Sequence, residues 1–360
     1  MILFDAIRHQ EGVITVLRGA AASGRLAHAY LFWGPEGVGK TRTAQALAQL
    51  LLCSRPDPPC GSCSECERVA RLTHPDLHCV LPGARGGSAD ERKQLEAFAA
   101  DFFYVPQIPR NATISIERIR GLKLESSKAR VRAGNRVIVI RNAGRMTHEA
   151  AQAALKIIEE PQPGTFLILT CRDPSRVLPT ILSRCQRMRL RALPREYIEG
   201  TLIERLGLEA EVARFFAALA QGGLGRALAL AESDARTARD RAIELFETPL
   251  GDAGEAARRA QALGRGWDAE AARMAGELLL TWYSDLLAVR HELPAERLTH
   301  GDRLPQLRRQ AEQLSLAAIR RRIETVEEML GALEQHVNPL LALQGALLRI
   351  NGLVEADPPF

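Results

Sequence analysis

One segment of this 360-residue chain restricts its fold more than any other: Leu31-Phe32-Trp33-Gly34-Pro35-Glu36-Gly37-Val38-Gly39-Lys40-Thr41. Gly34, Gly37 and Gly39 let the backbone curl until its N–H groups converge on one point, which suits an anion. The run from Ala29 to Trp33 has the length of a buried strand, and Ala44, Leu47, Ala48 and Leu51 recur at helical spacing behind the glycines. Strand, glycine loop and helix in that order make a phosphate cradle. Pro35, Glu36 and Val38 complete its rim, Lys40 reaches the terminal phosphates and Thr41 serves Mg²⁺, at the positive end of the helix. A chance match would not supply both flanks.

Hydrolysis needs a further element. Phosphate-loop enzymes place an Asp, often followed by Glu, at the end of a neighbouring buried strand to hold the metal and activate water. The best candidate strand here, Arg136-Val137-Ile138-Val139-Ile140, ends in Arg141-Asn142. A cation cannot ligate Mg²⁺, so the chain reads as a nucleotide fold without its own turnover. Glu159 and Glu160 are the nearest acids, but they close a predicted helix ahead of Pro161 and read as solvated carboxylates.

The seven cysteines are unevenly spread. Cys53, Cys60, Cys63 and Cys66 stand in a C-x6-C-x2-C-x2-C pattern, whereas Cys79, Cys171 and Cys185 are single and fall among apolar residues. Four thiolates around Zn²⁺ form a closed site with no position for water, hence a structural one. Free reduced thiols are the alternative. Pro56, Pro58, Pro59 and Gly61 predict a tight knuckle between the ligands rather than a helix. The start of the chain carries Asp5 and Arg8 and lacks a signal-peptide core. No run approaches the roughly eighteen apolar residues of a spanning helix, so a cytoplasmic protein without membrane contact is expected. A formal charge of +5 permits contact with nucleic acid without demanding it.

Along the chain, further strands are expected at Leu77 to Leu81, Phe166 to Thr170 and Arg187 to Leu190, with helices after Ile114 and from Thr147 to Glu160. Pro82 to Ala89 reads as a loop. Strands alternating with helices imply a parallel sheet covered on both faces, the α/β class. From Leu193 onward the pattern is helical, with a break at Gln221-Gly222-Gly223-Leu224-Gly225 and Arg226 opening the next helix. Leu316, Ile319, Ile323, Val326, Leu330 and Leu333 form one stripe, for a core or for a neighbouring subunit. The tail from Glu355 to Phe360 is expected to fray.

Several of these segments together carry a resemblance: His28-Ala29-Tyr30-Leu31-Phe32 before the loop, the cysteine module behind its helix, Ala154-Leu155-Lys156-Ile157-Ile158-Glu159-Glu160-Pro161, Ile181-Leu182-Ser183-Arg184-Cys185, and Asn338-Pro339-Leu340-Leu341-Ala342-Leu343. They resemble the AAA+ clamp-loader subunits of bacterial DNA polymerase III over nearly the whole chain. Within that family the missing acids, the short length and the lack of an extension beyond the last helices fit the delta-prime kind better than the ATP-hydrolysing gamma/tau kind. Another departure agrees: where gamma/tau carries a lid arginine that reads the terminal phosphate, this chain has Gly225. Arg226 is displaced by one residue, a rotation of about 100° on a helix.

The resemblance implies an AAA+ domain over residues 1–187 with the zinc module at 53–66, a helical lid over 188–235 and a helical collar over 236–360. It implies assembly with delta and gamma/tau into a heteropentamer that loads the sliding clamp onto primed DNA. Within it, Arg184 is the catalytic contribution, an arginine finger offered in trans to the neighbour's nucleotide. The chain itself would be neither a polymerase nor an active ATPase, although the intact loop keeps ATP or ADP binding with Mg²⁺ open. Arg118, Arg120, Lys123, Lys128, Arg130 and Arg132 suit non-specific tracking of DNA phosphates or a solvated face equally well. Two other readings compete: a hydrolysing motor in which Glu159 or another carboxylate replaces the missing acids, and an inert scaffold or DNA-binding protein.

Overall fold

A computed structural model describes residues 2–83, 89–101, 104, 112–127, 134–263 and 266–354. Lys128, Arg130 and Arg132, most of the Pro82 to Ala89 loop and the tail from Glu355 lie outside them. The chain divides into two compact units, one comprising Met1–Ile198 with Gln221–Leu228 and the other Glu199–Ala220 with Ala229–Phe360.

The first unit is built on one five-stranded sheet of β1 (Ala29–Trp33), β2 (Leu77–Val80), β3 (Arg136–Ile140), β4 (Thr165–Cys171) and β5 (Gln186–Arg189), in the order β2-β3-β4-β1-β5. Every pairing is parallel. Alternation along the strands explains why both faces are covered. Tyr30, Phe32, Val137, Val139 and Ile168 face one apolar cluster, which includes the helix Lys40–Leu52, while Leu31, Ile138, Ile140, Leu167 and Leu169 face the other, which includes the helix His148–Glu159. Thr147 caps the latter helix by accepting the Ala150 N–H.

Two helices escape the sequence pattern. Ser64–Ala70 begins inside the cysteine module, capped by the Cys63 sulfur, so Cys66 is a helical residue and the knuckle ends at Cys63. Ala89–Ala100 occupies a stretch whose periodicity is weak, and it supplies the buried Phe98.

The second unit is all helical. The long helix Ala269–Arg290 packs against Ala235–Glu247, Leu304–Gln313, Leu316–Glu334 and Pro339–Ile350 around the buried Trp282, Tyr283 and Leu286. Ser315, Asn338 and Asp268 cap three of these helices with side-chain oxygens. Ile319 and Val326 of the sequence stripe are buried in this core, Leu333 is buried as well and Leu316 is exposed. Among the described residues no helix is long and apolar enough to cross a membrane.

Candidate functional site: a phosphate loop ringed by cations, with a four-cysteine module on its helix

The loop leaves the C-terminal end of β1 and enters the helix Lys40–Leu52. Gly34, Gly37 and Gly39 have φ of 142°, 77° and 100°, the left-handed side where glycine is favoured. Close approach also demands glycine at two of them. A Cβ on Gly34 would stand 2.2 Å from the Leu190 carbonyl oxygen, and one on Gly37 would stand 2.7 Å from the Arg226 nitrogen. The second contact arises because residues 221–228 fold back over the loop: the Gly225 N–H donates to the Gly37 carbonyl at 3.1 Å and the Leu193 N–H to the Gly222 carbonyl at 2.8 Å. The Gly-rich break is therefore a cover for the cradle. Arg226 sits in the first turn of a helix that begins at Leu224 rather than opening it.

Lys40 turns its ammonium onto the loop, donating to the Gly34 carbonyl at 2.9 Å and to the Pro35 carbonyl. Burial lowers its pKa to about 8, opposed by Glu36 and Cys171 and reinforced by Arg172 and Arg141. Thr41 borders the same space as Arg141, Gln45, Cys79 and Phe98. Arg42 is buried against the Phe98 ring, its guanidinium carbon 3.5 Å from the ring centre, and donates to Gln45 Oε1 and the Phe98 carbonyl.

One strand beyond β4, the neighbour of β1, is β3, where Arg141 and Asn142 follow Ile140. The Asn142 backbone is left-handed at φ 51°, and its N–H donates to Thr170 Oγ1 at 3.1 Å. Arg141 is 8% exposed. These residues do not fit a Mg²⁺ ion: the strand-end position that borders the same space as Thr41 carries a guanidinium, and the exposed Glu36 is the acid that bears on Lys40. A hydrolytic step through a metal has no carboxylate to hold it at this strand end.

Arg184 lies at the other end of the strands, before β5, which pairs with β1. It precedes β5, whose first residue Gln186 is in register with Tyr30, whereas Gly34 follows Trp33, which pairs with Arg189. A four-residue strand at about 3.3 Å per residue puts on the order of 13 Å between those ends. Arg184 is exposed, pairs with Glu159 at 2.9 Å and donates to the Thr180 carbonyl at 3.0 Å. Glu159 ends its helix beside Arg184, so it is no substitute for the missing acids of the loop. Arg118 turns inward, donating to the Leu81 carbonyl at 2.9 Å, while Arg120 is exposed.

The sulfurs of Cys53, Cys60, Cys63 and Cys66 all lie within 4.8 Å of one another, with Cys53–Cys63 and Cys60–Cys66 each at 3.9 Å. Four sulfurs at about 2.3 Å from a tetrahedral ion are about 3.8 Å apart, so the quartet fits Zn²⁺. Backbone N–H groups of Cys60, Cys63 and Cys66 point at the sulfurs of Cys53, Cys60 and Cys63. Burial disfavours the Cys63 thiolate, yet N–H donors from Cys66 and Ser54 bring its pKa down to about 5. The module is fastened to the loop's helix by residues that sequence reasoning passed over. Gln45 donates to the Val69 and Ala70 carbonyls, Gln49 to the Cys66 carbonyl. Behind it, buried Glu65 pairs with His74 at 3.0 Å.

A family model described as DNA polymerase III, delta subunit, matches residues 9–194, and one described as DNA polymerase III, delta subunit, C terminal, matches residues 253–352. DNA polymerase III subunit delta' of Bacillus subtilis is 31% identical over 66% of this chain and 64% of its own length. DNA polymerase III subunit gamma/tau of Mycobacterium tuberculosis is 33% identical over 53% of this chain and 29% of its own. The matches thus span less than two thirds of either relative. Among solved structures, a DNA polymerase III gamma subunit-related protein of Thermotoga maritima aligns with a TM-score of 0.43 at 14% identity, covering 93% of this chain and 98% of that one.

Proposed function

This chain belongs to the DNA polymerase III delta-subunit family, and we propose that it is the delta-prime-type subunit of a clamp loader, a catalytic partner that does not turn over its own nucleotide. In this reading it assembles in the cytoplasm with delta and gamma/tau, and the assembly opens a sliding clamp and loads it onto primed DNA. Arg184 reaches the triphosphate held by the adjacent gamma/tau subunit. A guanidinium supplied in trans stabilises the charge that spreads over the transferring phosphoryl group, and its planar fork suits phosphate oxygens better than an ammonium does. Residues 188–235 act as the lid and 236–360 as the collar through which subunits associate. Zn²⁺ on Cys53, Cys60, Cys63 and Cys66 is structural. Arg120 and its basic neighbours contribute non-specific phosphate contacts at most.

The observation that carries this reading is the separation of the two phosphate-handling features. Gly34 to Thr41 and Arg184 sit at opposite ends of the neighbouring parallel strands β1 and β5, so Arg184 is out of reach of the chain's own loop and available to a neighbour. The motor alternative loses support because Glu159 is engaged with Arg184, away from Lys40. The decisive experiment is ATP turnover by a loader reconstituted with clamp and primed DNA, using wild-type chain or Arg184→Ala. Loss of turnover with Arg184→Ala, together with no turnover by the purified chain alone, is the expected result. Unchanged turnover would leave an inert scaffold.

A further inference from the structure

The buried guanidinium of Arg141 has no counterpart in the reading above. Its Nε and Nη1 are shielded from solvent and have no hydrogen-bond partner among the described residues. Among its neighbours, Cys79 and Glu36 favour its charge, but Cys79 is a buried thiol whose own pKa is pushed up to about 11 and Glu36 is exposed at the loop rim. The Phe98 ring centre lies 5.3 Å from the guanidinium carbon, and Lys40 and Arg42 are both near enough for Arg141 to weaken their hold on protons. Burying a cation without a partner is costly, and placing it next to two more adds repulsion. Arg141 sits at a strand end and borders the same space as Thr41, the residue that follows Lys40 of the glycine loop, and a negative charge brought there would relieve the repulsion. Arg141 stands where a hydrolytic site would hold a carboxylate-bound Mg²⁺.

We propose that Arg141 replaces the metal, so that Gly34 to Thr41 binds the terminal phosphates of a nucleoside di- or triphosphate without Mg²⁺. Lys40 exchanges its contacts with the Gly34 and Pro35 carbonyls for phosphate oxygens, and the Arg141 Nε and Nη1 hydrogens donate to the same anion from the β3 side. Glu36, the acid that bears on both cations, is exposed at the loop rim and leaves their charge in excess. No bond is broken. The site is a metal-free holder of nucleotide, which explains how an intact loop coexists with a lost metal position. The inference rests on reading the loop as a nucleotide cradle but not on Arg184 or on subunit assembly.

The test is calorimetric titration of the isolated full-length chain with ATP, ADP and inorganic tripolyphosphate, in Mg²⁺-free buffer and in excess Mg²⁺. A chelator is omitted because it would compete for metal on the cysteine quartet. Wild-type affinity for ATP should change by less than about threefold on adding Mg²⁺, since charge-assisted hydrogen bonds already neutralise the phosphates. Arg141→Gln should weaken Mg²⁺-free binding by about tenfold or more, the usual consequence of losing a hydrogen bond to a charged group. Arg141→Asp should bind only when Mg²⁺ is present. Tripolyphosphate should compete with ATP. The proposal is overturned if wild-type chain binds nothing, if it needs Mg²⁺, or if Arg141→Gln binds as well or better, which would make Arg141 a plug. The wild-type comparison requires no variant to fold, and reconstituted turnover reports on Arg184 independently.

Discussion

Arg184 and Glu159 form an ion pair of 2.9 Å between two half-exposed side chains, each more than a third open to solvent. A pair of this kind is worth at most about 1 kcal/mol, because water screens it and ordering two flexible side chains costs entropy. Glu159 therefore orients Arg184 without trapping it. A triphosphate on a neighbouring subunit, carrying more charge in a drier place, would draw the guanidinium across.

From this follows an asymmetry between the two partners. Glu159→Ala should shift the stability of the chain by less than about 1 kcal/mol and leave the turnover of a reconstituted loader intact. Arg184→Ala should lower turnover at the adjacent site by on the order of 10³-fold, with Arg184→Lys failing to restore it. Thermal melts and steady-state phosphate release, measured on the same preparations, decide the matter. Equal losses for Glu159→Ala and Arg184→Ala would mean that the pair is needed as a local strut.

The cysteine quartet makes a compositional prediction. One zinc ion per chain is expected by elemental analysis of the purified protein, and Cys63→Ser should lower that content. Structural zinc supplies folding free energy to a module with little core of its own. Chelation should therefore expose residues 53–66 to proteolysis before the rest of the first unit. Because Gln45 and Gln49 tie the helix Ser64–Ala70 to the loop's helix, metal loss should also weaken nucleotide binding. Full zinc-free stability with no new cleavage would leave the quartet as four thiols.

Much of this was legible from residue spacing. The glycine loop, the five strands, the absence of acids after Ile140 and the grouping of four cysteines are local patterns, each fixed within about ten residues, and local patterns survive without tertiary information. What was hidden depends on distant partners. Arg141 reads in sequence only as a missing carboxylate. Its meaning comes from burial beside Phe98, which lies on a helix of weak periodicity, and from Lys40 and Arg42 across the sheet end. The fold of residues 221–228 onto Gly37 was equally invisible, since the glycines there mark a break without saying what the break touches. In the sequence Glu159 reads as merely solvated, because nothing in its own helix announces Arg184.

Lys40 gives nucleotide binding a pH dependence with a definite sign. Burial holds its free-loop pKa at about 8, and phosphate oxygens at the same nitrogen would raise it. Below pH 8 the lysine is charged before and after binding, so affinity is flat. Above pH 8 binding must recruit a proton, and affinity should fall by up to about tenfold per pH unit. Arg141, at about 10, and Cys171, at about 11, titrate later, so the first decline belongs to Lys40. Titration of ATP into the chain from pH 7 to 9 reads the slope, and Lys40→Met should be weak and flat across the range. An affinity that rises above pH 8 would show that the ammonium opposes binding.

The second unit carries its own titration through His300. The residue is fully buried, with its ring 5.4 Å from both Phe215 and Trp282 and its Nε2 3.0 Å from Thr281 Oγ1. Burial, aided by the charge of Arg239, lowers its pKa to about 3. Arg239 is itself held by both carboxylate oxygens of Asp302 at 2.9 Å, so it is a fixed feature of the surroundings. Between pH 3 and the unfolded value near 6.5, the unfolded chain binds a proton at this position and the folded chain does not. Stability contributed by the neutral ring is therefore full above pH 6.5 and declines as pH falls, by up to about 1.4 kcal/mol per pH unit. Carboxylates also titrate in the lower part of this window, but they do so in wild type and variant alike, and the difference between the two isolates the imidazole. Urea denaturation of wild-type chain and His300→Gln at several pH values should show wild type losing about 2 kcal/mol relative to the variant from pH 6.5 to 4.5. Parallel acid limbs would mean that the folded unit admits a proton at His300, and that the aromatic enclosure by Phe215 and Trp282 opens below neutral pH.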